Sequence, residues 1–138
     1  MNAAFVDTSY YLALLNENDE FHHAALEATK RLPPKLVTTA WILLEFANGM
    51  RRVGCRDLAA EFIRDLRNDY RVSIVQPALD MFDRGLKLYA DRPDKEWSLT
   101  DCISFLVMKD RGLTEALTTD GHFRQAGFQM LISQDRRA

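Results

Sequence analysis

Five short apolar or β-branched runs alternate with helical stretches along the chain, and this alternation constrains the fold more than any other feature. The runs are residues 2–6, 36–38, 72–75, 116–118 and 128–132. Helical spacing marks residues 9–15, 21–32, 39–53, 58–66, 78–89 and 99–109. Pro33-Pro34 ends the second of these helices, and Gly54 stops the third. Short strands separated by helices predict an α/β domain with a mainly parallel sheet. Ligands of such sheets bind beyond the carboxyl ends of the strands. Asp7 and Asp120 both lie at strand ends.

The chain has 138 residues, which predicts one domain over 1–138. With 47% hydrophobic residues it has enough apolar side chains for a core, so composition excludes a disordered chain. The formal net charge of -2 does not advertise a nucleic-acid partner, so any such binding must come from local patches. Cys55 and Cys102 lack the spacing of a disulfide framework or a zinc site, and a reducing compartment is expected. The apolar amino terminus has no basic region and carries Asp7 in its middle, unlike a signal peptide. No apolar run reaches the ~18 residues of a membrane span. A cytoplasmic location is expected.

Four carboxylates stand in apolar settings. Asp7 falls between AAFV and TSYYLALL, where an aspartate commonly caps a helix. Glu45 lies in AWILLEFANGM, a helix apolar on nearly every face, so deep burial is expected. A buried carboxylate is costly unless it is paired, protonated or metal-bound. A structural ion pair or a helix edge would also explain it. Asp101 completes Ser98-x-x-Asp101, the spacing of a capping box, and projects from the first turn of an apolar helix. Asp120 precedes Gly121 in a common turn dipeptide. Each has a local explanation, but no single one covers all four. If they converge, their repulsion opposes folding of the bare site. A hard divalent cation such as Mg²⁺ or Mn²⁺ removes that objection.

DTS at 7–9, the lone Glu45, SLTDCISF around Asp101 and LTTDGHF around Asp120 together resemble the acidic signatures of PIN-domain ribonucleases. The last two segments, with MKDRGLTEA between them, most resemble the VapC toxins of bacterial toxin–antitoxin pairs. The resemblance runs over essentially the whole chain. It implies a three-layer α/β/α domain with a mainly parallel five-stranded sheet flanked by helices. It implies a metal-dependent endoribonuclease using Mg²⁺ or Mn²⁺, with Asp7, Glu45, Asp101 and Asp120 as catalytic and metal-binding acids. Thr8, Ser104 and Thr118 match supporting hydroxyls, and Cys102 stands where a small residue is usual. The implied partners are an RNA substrate, a cognate antitoxin protein and a second copy of the chain in a homodimer.

Cations for RNA phosphates are sought in Arg51, Arg52 and Arg56, in Arg124, and in a second cluster of Lys30, Arg31 and Lys35. Solvated surface charge explains any one of them equally well. His122 has a place near the pocket open to it, but a structural turn histidine is the preferred reading, since no nucleophile stands at a recognisable spacing. Two rival readings remain. One is a non-catalytic PIN-like module that binds RNA or protein. The other is an aspartate-phosphorylated α/β domain, against which stand the absence of an acid two residues after Asp7 and of a lysine directly after residues 116–118.

Overall fold

The computed structural model describes residues 2–134; the expected domain, 1–138, extends past them at both ends. The elements in order are β1 (Ala3–Val6), α1 (Thr8–Leu15), α2 (His22–Thr29), β2 (Lys35–Thr39), α3 (Ala40–Gly49), α4 (Arg56–Asn68), β3 (Val72–Val75), α5 (Leu79–Asp91), α6 (Leu99–Asp110), β4 (Glu115–Leu117), α7 (His122–Gln125) and β5 (Gln129–Met130). All five strands pair in parallel, in the order β3-β2-β1-β4-β5. The order reverses between β1 and β4. With crossovers of the usual right hand, such a reversal places helices on both faces of the sheet. The crevice at that reversal opens beyond the carboxyl ends of β1 and β4, where Asp7 and Asp120 follow.

β1 is apolar throughout because both faces are covered: Ala4, Phe5 and Val6 have no exposed surface. The peptide N–H of Asp7 donates to Leu117 O at 3.0 Å, which extends the β1–β4 ladder by one bond into the crevice. Two aromatic clusters fill the core. Tyr11, Phe46 and Phe62 tie α1, α3 and α4 together, with ring centroids 5.3–6.0 Å apart. Phe105 of α6 contacts Trp97, Phe123 and Phe128 at 5.1, 5.0 and 5.8 Å. Phe123 also reaches Phe5 of β1 at 6.1 Å. This second cluster joins the helix carrying Asp101 to the turn carrying Asp120.

Several element ends differ from the periodicity. The helix expected over 39–53 is α3, which stops at Gly49; Thr39 is its cap, accepting from Ile42 N at 3.1 Å. α3 is not buried all round, since Leu44 is 59% exposed and Glu45 only half-buried. The deep burial expected for Glu45 is therefore corrected: the side chain stands at a helix edge. The four-residue α7 has no counterpart in the expected elements, because one helical turn carries no readable period.

α5 and α6 meet at Gly85. A Cβ built there would lie 2.5 Å from Ile103 Cγ1, so only glycine lets the helices approach this closely. Gly85→Ala is expected to lower stability by about 1–3 kcal/mol, because overpacking outweighs the gain in helix propensity. Denaturant unfolding checks this; an unchanged midpoint would show that Ile103 moves aside freely.

Candidate active site

Four segments remote in sequence bring their acids to one cavity of about 460 Å³. Asp7, Thr8, Ser9 and Leu12 line it from β1 and α1, and Glu45 and Gly49 from α3. Glu96, Ser98 and Asp101 come from the α5–α6 connection and α6, and Asp120 and His122 from the turn after β4.

Asp7 occupies the N-cap position of α1 with extended backbone, yet its side chain makes no capping hydrogen bond. Its Oδ2 instead accepts from Ser9 Oγ and Thr118 Oγ1, each at 2.8 Å. Oδ1 has no hydrogen-bond partner among the described residues. Helix capping thus accounts for the backbone but not for the carboxylate. Thr118 is fully buried, and its hydroxyl also accepts from Asp120 N at 3.0 Å. Ser9 accepts from Thr119 N at 2.9 Å. These hydroxyls lock the ends of β1 and β4 together around Asp7.

The other acids are held with similar care. Glu45 Oε1 accepts from Thr8 Oγ1 at 2.5 Å. Asp101 completes the capping box expected from the sequence: Asp101 N donates to Ser98 Oγ at 2.9 Å, and Ser98 N to Asp101 Oδ2 at 3.1 Å. The same carboxylate reaches the cavity, so its capping role and its place in the site coexist. Asp120 Oδ1 accepts from His122 N at 2.9 Å, an Asx-type turn. His122 Nδ1 lies 3.2 Å from both Asp101 Oδ2 and Asp120 Oδ1.

Crowding perturbs the acids. Burial pushes the Asp7 carboxyl up to about 7; the Ser9 and Thr118 hydroxyls oppose that shift, and the charges of Asp101 and Asp120 add to it. Asp101 is also raised, first by burial and then by Asp120, against the hydrogen bond from Ser98 and the proximity of His122. A buried carboxylate ionising near neutrality, in a cleft with further carboxylates, is the pattern of a working site.

Of the hydroxyls sought from the sequence, Thr8 and Thr118 contact the acids. Ser104 does not line the cavity; it is fully buried, and its hydroxyl has no partner among the described residues. It sits nearly one turn further along α6 than Asp101, deeper in the fold. Arg51, Arg52, Arg56 and Arg124 are exposed, and none lines the cavity. Arg51 donates to Asn48 O and Arg56 to Arg51 O, so the first cluster wraps the end of α3 next to the cavity-lining Gly49. In the second cluster Lys30 pairs with Glu27. Ser9 and Glu96, which the sequence does not single out for the site, line the cavity, and so does His122, for which a turn role is the preferred reading. Ser9 stands in the DTS motif, a local signal for it; nothing local in its polar loop marks Glu96.

Residues 4–129 match the PIN domain model. The 23S rRNA-specific endonuclease VapC20 of Mycobacterium tuberculosis is 31% identical over 124 residues, covering 90% of this chain and 94% of the relative. The crystal structure of that VapC20, described as a sarcin-ricin loop cleaving toxin, superposes with a TM-score of 0.83 at 30% identity, over 91% of this chain and 95% of that one. A toxin–antitoxin complex from Klebsiella pneumoniae (TM-score 0.61, 18% identity, 86% of this chain and 87% of that one) shares the fold. So does FitAcB from Neisseria gonorrhoeae (TM-score 0.62, 15% identity, 92% and 95%). The chain belongs to the PIN-domain family, in its VapC branch.

Proposed function

We propose that this protein is a metal-dependent endoribonuclease and the toxin of a toxin–antitoxin pair. The observation that carries the reading is the meeting of Asp7, Glu45, Asp101 and Asp120, from four distant segments, in one cavity at the strand-order reversal. The donor set fits a divalent cation. Carboxylate oxygens suit Mg²⁺ or Mn²⁺, and an open cleft leaves room for its waters. Ligand atoms of Asp101, Asp120 and His122 all lie within 4.8 Å of one another. Asp7, 5% exposed, lines the same cavity, and its Oδ1 has no hydrogen-bond partner among the described residues.

When bound, the cation supplies an activated water and stabilises the charge that develops on the phosphate. The chain's own residues provide the frame. Asp7 is oriented by Ser9 and Thr118, Glu45 by Thr8, and Asp101 by the α6 capping box. Such orientation keeps the carboxylates from reorganising during reaction. Without a cation the same acids repel a phosphate. Arg51, Arg52, Arg56 and Arg124 are exposed and available to RNA phosphates. Ribosomal RNA is the substrate class to try first, since the VapC20 relative is named for it. A cognate antitoxin, a homodimer and a cytoplasmic setting belong to the same proposal. A guanidinium from a disordered antitoxin tail would suit the carboxylate cluster. No helix among the described residues is long and apolar enough to cross a membrane.

The test is incubation of purified protein with ribosomal hairpins, transfer RNAs and unstructured RNA, with Mg²⁺ or Mn²⁺. Glu45→Gln is expected to cut cleavage by roughly 10²-fold or more, since it removes one charge at the metal site. Equal cleavage by variant and wild type, or RNA binding with no cleavage at all, would overturn the reading.

A further inference from the structure

Two of the cavity's acids, Asp101 and Asp120, are joined by a nitrogen. His122 is the first residue of α7, and its side chain is 29% exposed. Its Nδ1 stands 3.2 Å from Asp101 Oδ2 and 3.2 Å from Asp120 Oδ1. Its own peptide N–H holds Asp120 Oδ1 at 2.9 Å, which fixes imidazole and carboxylate on one short turn. Nε2 has no hydrogen-bond partner among the described residues.

Two ligands at about 2.1 Å from a six-coordinate cation and at right angles to it lie about 3.0 Å apart. The two 3.2 Å separations approximate two such edges meeting at Nδ1. The Oδ1 of Asp7 provides an independent sign of a ligand. It belongs to a nearly fully buried side chain of a residue that lines the cavity, and it has no partner within the described residues.

We propose that His122 coordinates the catalytic cation through Nδ1, beside Asp101 and Asp120, so that the site favours Mn²⁺ over Mg²⁺. The inference rests on the metal-dependent reading above and adds a ligand of a different chemical class. Mg²⁺ demands oxygen ligands and keeps several waters, whereas an imidazole nitrogen suits transition metals better. The rival role for the ring is that of a hydrogen-bond donor bridging two carboxylates, with no bond to the cation.

Electron spin-echo spectroscopy of the Mn²⁺-loaded protein separates the two roles without reference to activity. Wild type is expected to show the nitrogen hyperfine modulation of a directly bound imidazole. Growth on isotopically labelled histidine should alter that modulation, which identifies histidine without any variant. His22 and His23 lie on α2, and neither lines the cavity. His122→Asp, which keeps an oxygen donor, is expected to lose the modulation and to lose preference for Mn²⁺ over Mg²⁺ in competition binding. Bound Mn²⁺ without nitrogen modulation, or modulation that survives in His122→Asp, overturns the role of His122 alone. A spectrum showing only free Mn²⁺ in wild type overturns the metal reading as well.

Discussion

Asp7→Asn is expected to reduce RNA cleavage by about 10³-fold or more while making the metal-free protein more stable above neutral pH. The two effects have one cause. Asparagine keeps the shape of the side chain and an oxygen that can accept from Ser9 and Thr118. It lacks the charge that a cation needs and that burial penalises. The Asp7 carboxyl ionises at about 7 in the fold, against an ordinary value of 3.8. Between those values the folded state retains a proton that the unfolded state has already released. Stability therefore falls as pH rises through that window, and levels off above about pH 7. The full penalty is roughly 4 kcal/mol. Asn escapes it, so the variant should match wild type in acid and exceed it at alkaline pH. Urea unfolding of metal-free protein at about pH 5 and about pH 8 measures the difference. An identical pH dependence in variant and wild type would show that Asp7 is not held at a cost. Saturating Mn²⁺ should reverse the order, because wild type gains more binding energy from it than a variant short of one carboxylate.

Phe105→Ala is expected to cost about 3–5 kcal/mol. The ring is 1% exposed and touches Trp97, Phe123 and Phe128. The loss has a functional side. Phe105 lies one turn beyond Asp101 on α6, and Phe123 directly follows His122. Removing the ring loosens the packing that sets Asp101 against Asp120 and His122. Cleavage should fall even at temperatures where the variant remains folded, since catalysis depends on ligand placement. Denaturant midpoints and cleavage rates measured together check both parts. Full activity in a strongly destabilised variant would mean that the site is held by other contacts. Leu44→Ala, at a position 59% exposed, serves as the contrast and should stay within about 0.5 kcal/mol of wild type.

The strands and most helices were legible because their signals are local. The β1 run is apolar at every position, and Ser98-x-x-Asp101 announces the start of α6. What escaped depends on partners far along the chain. Ser9 is bonded to Thr118 and to the peptide of Thr119, 109 and 110 residues away. His122 was read as a turn residue, and its peptide does close the Asp120 turn. Its ring meets Asp101, 21 residues earlier, and only the packing of α6 against α7 brings them together. Glu45 was expected to be deeply buried because its helix is apolar on most faces. That argument presumes cover on every side, whereas Leu44 faces outward and the cavity opens beside Glu45. The acids themselves could be picked out from their apolar settings, because a carboxylate in such a place needs a reason.

The central claim is that these acids are gathered to hold a cation for RNA hydrolysis. Its most direct test is the cleavage rate of one RNA substrate against free divalent cation, for metal-stripped wild type and Asp7→Asn side by side. The account predicts no cleavage by stripped wild type, a saturable rise as Mn²⁺ or Mg²⁺ is restored, and a flat line for the variant. Undiminished cleavage after stripping, or the same rise in both proteins, would contradict it.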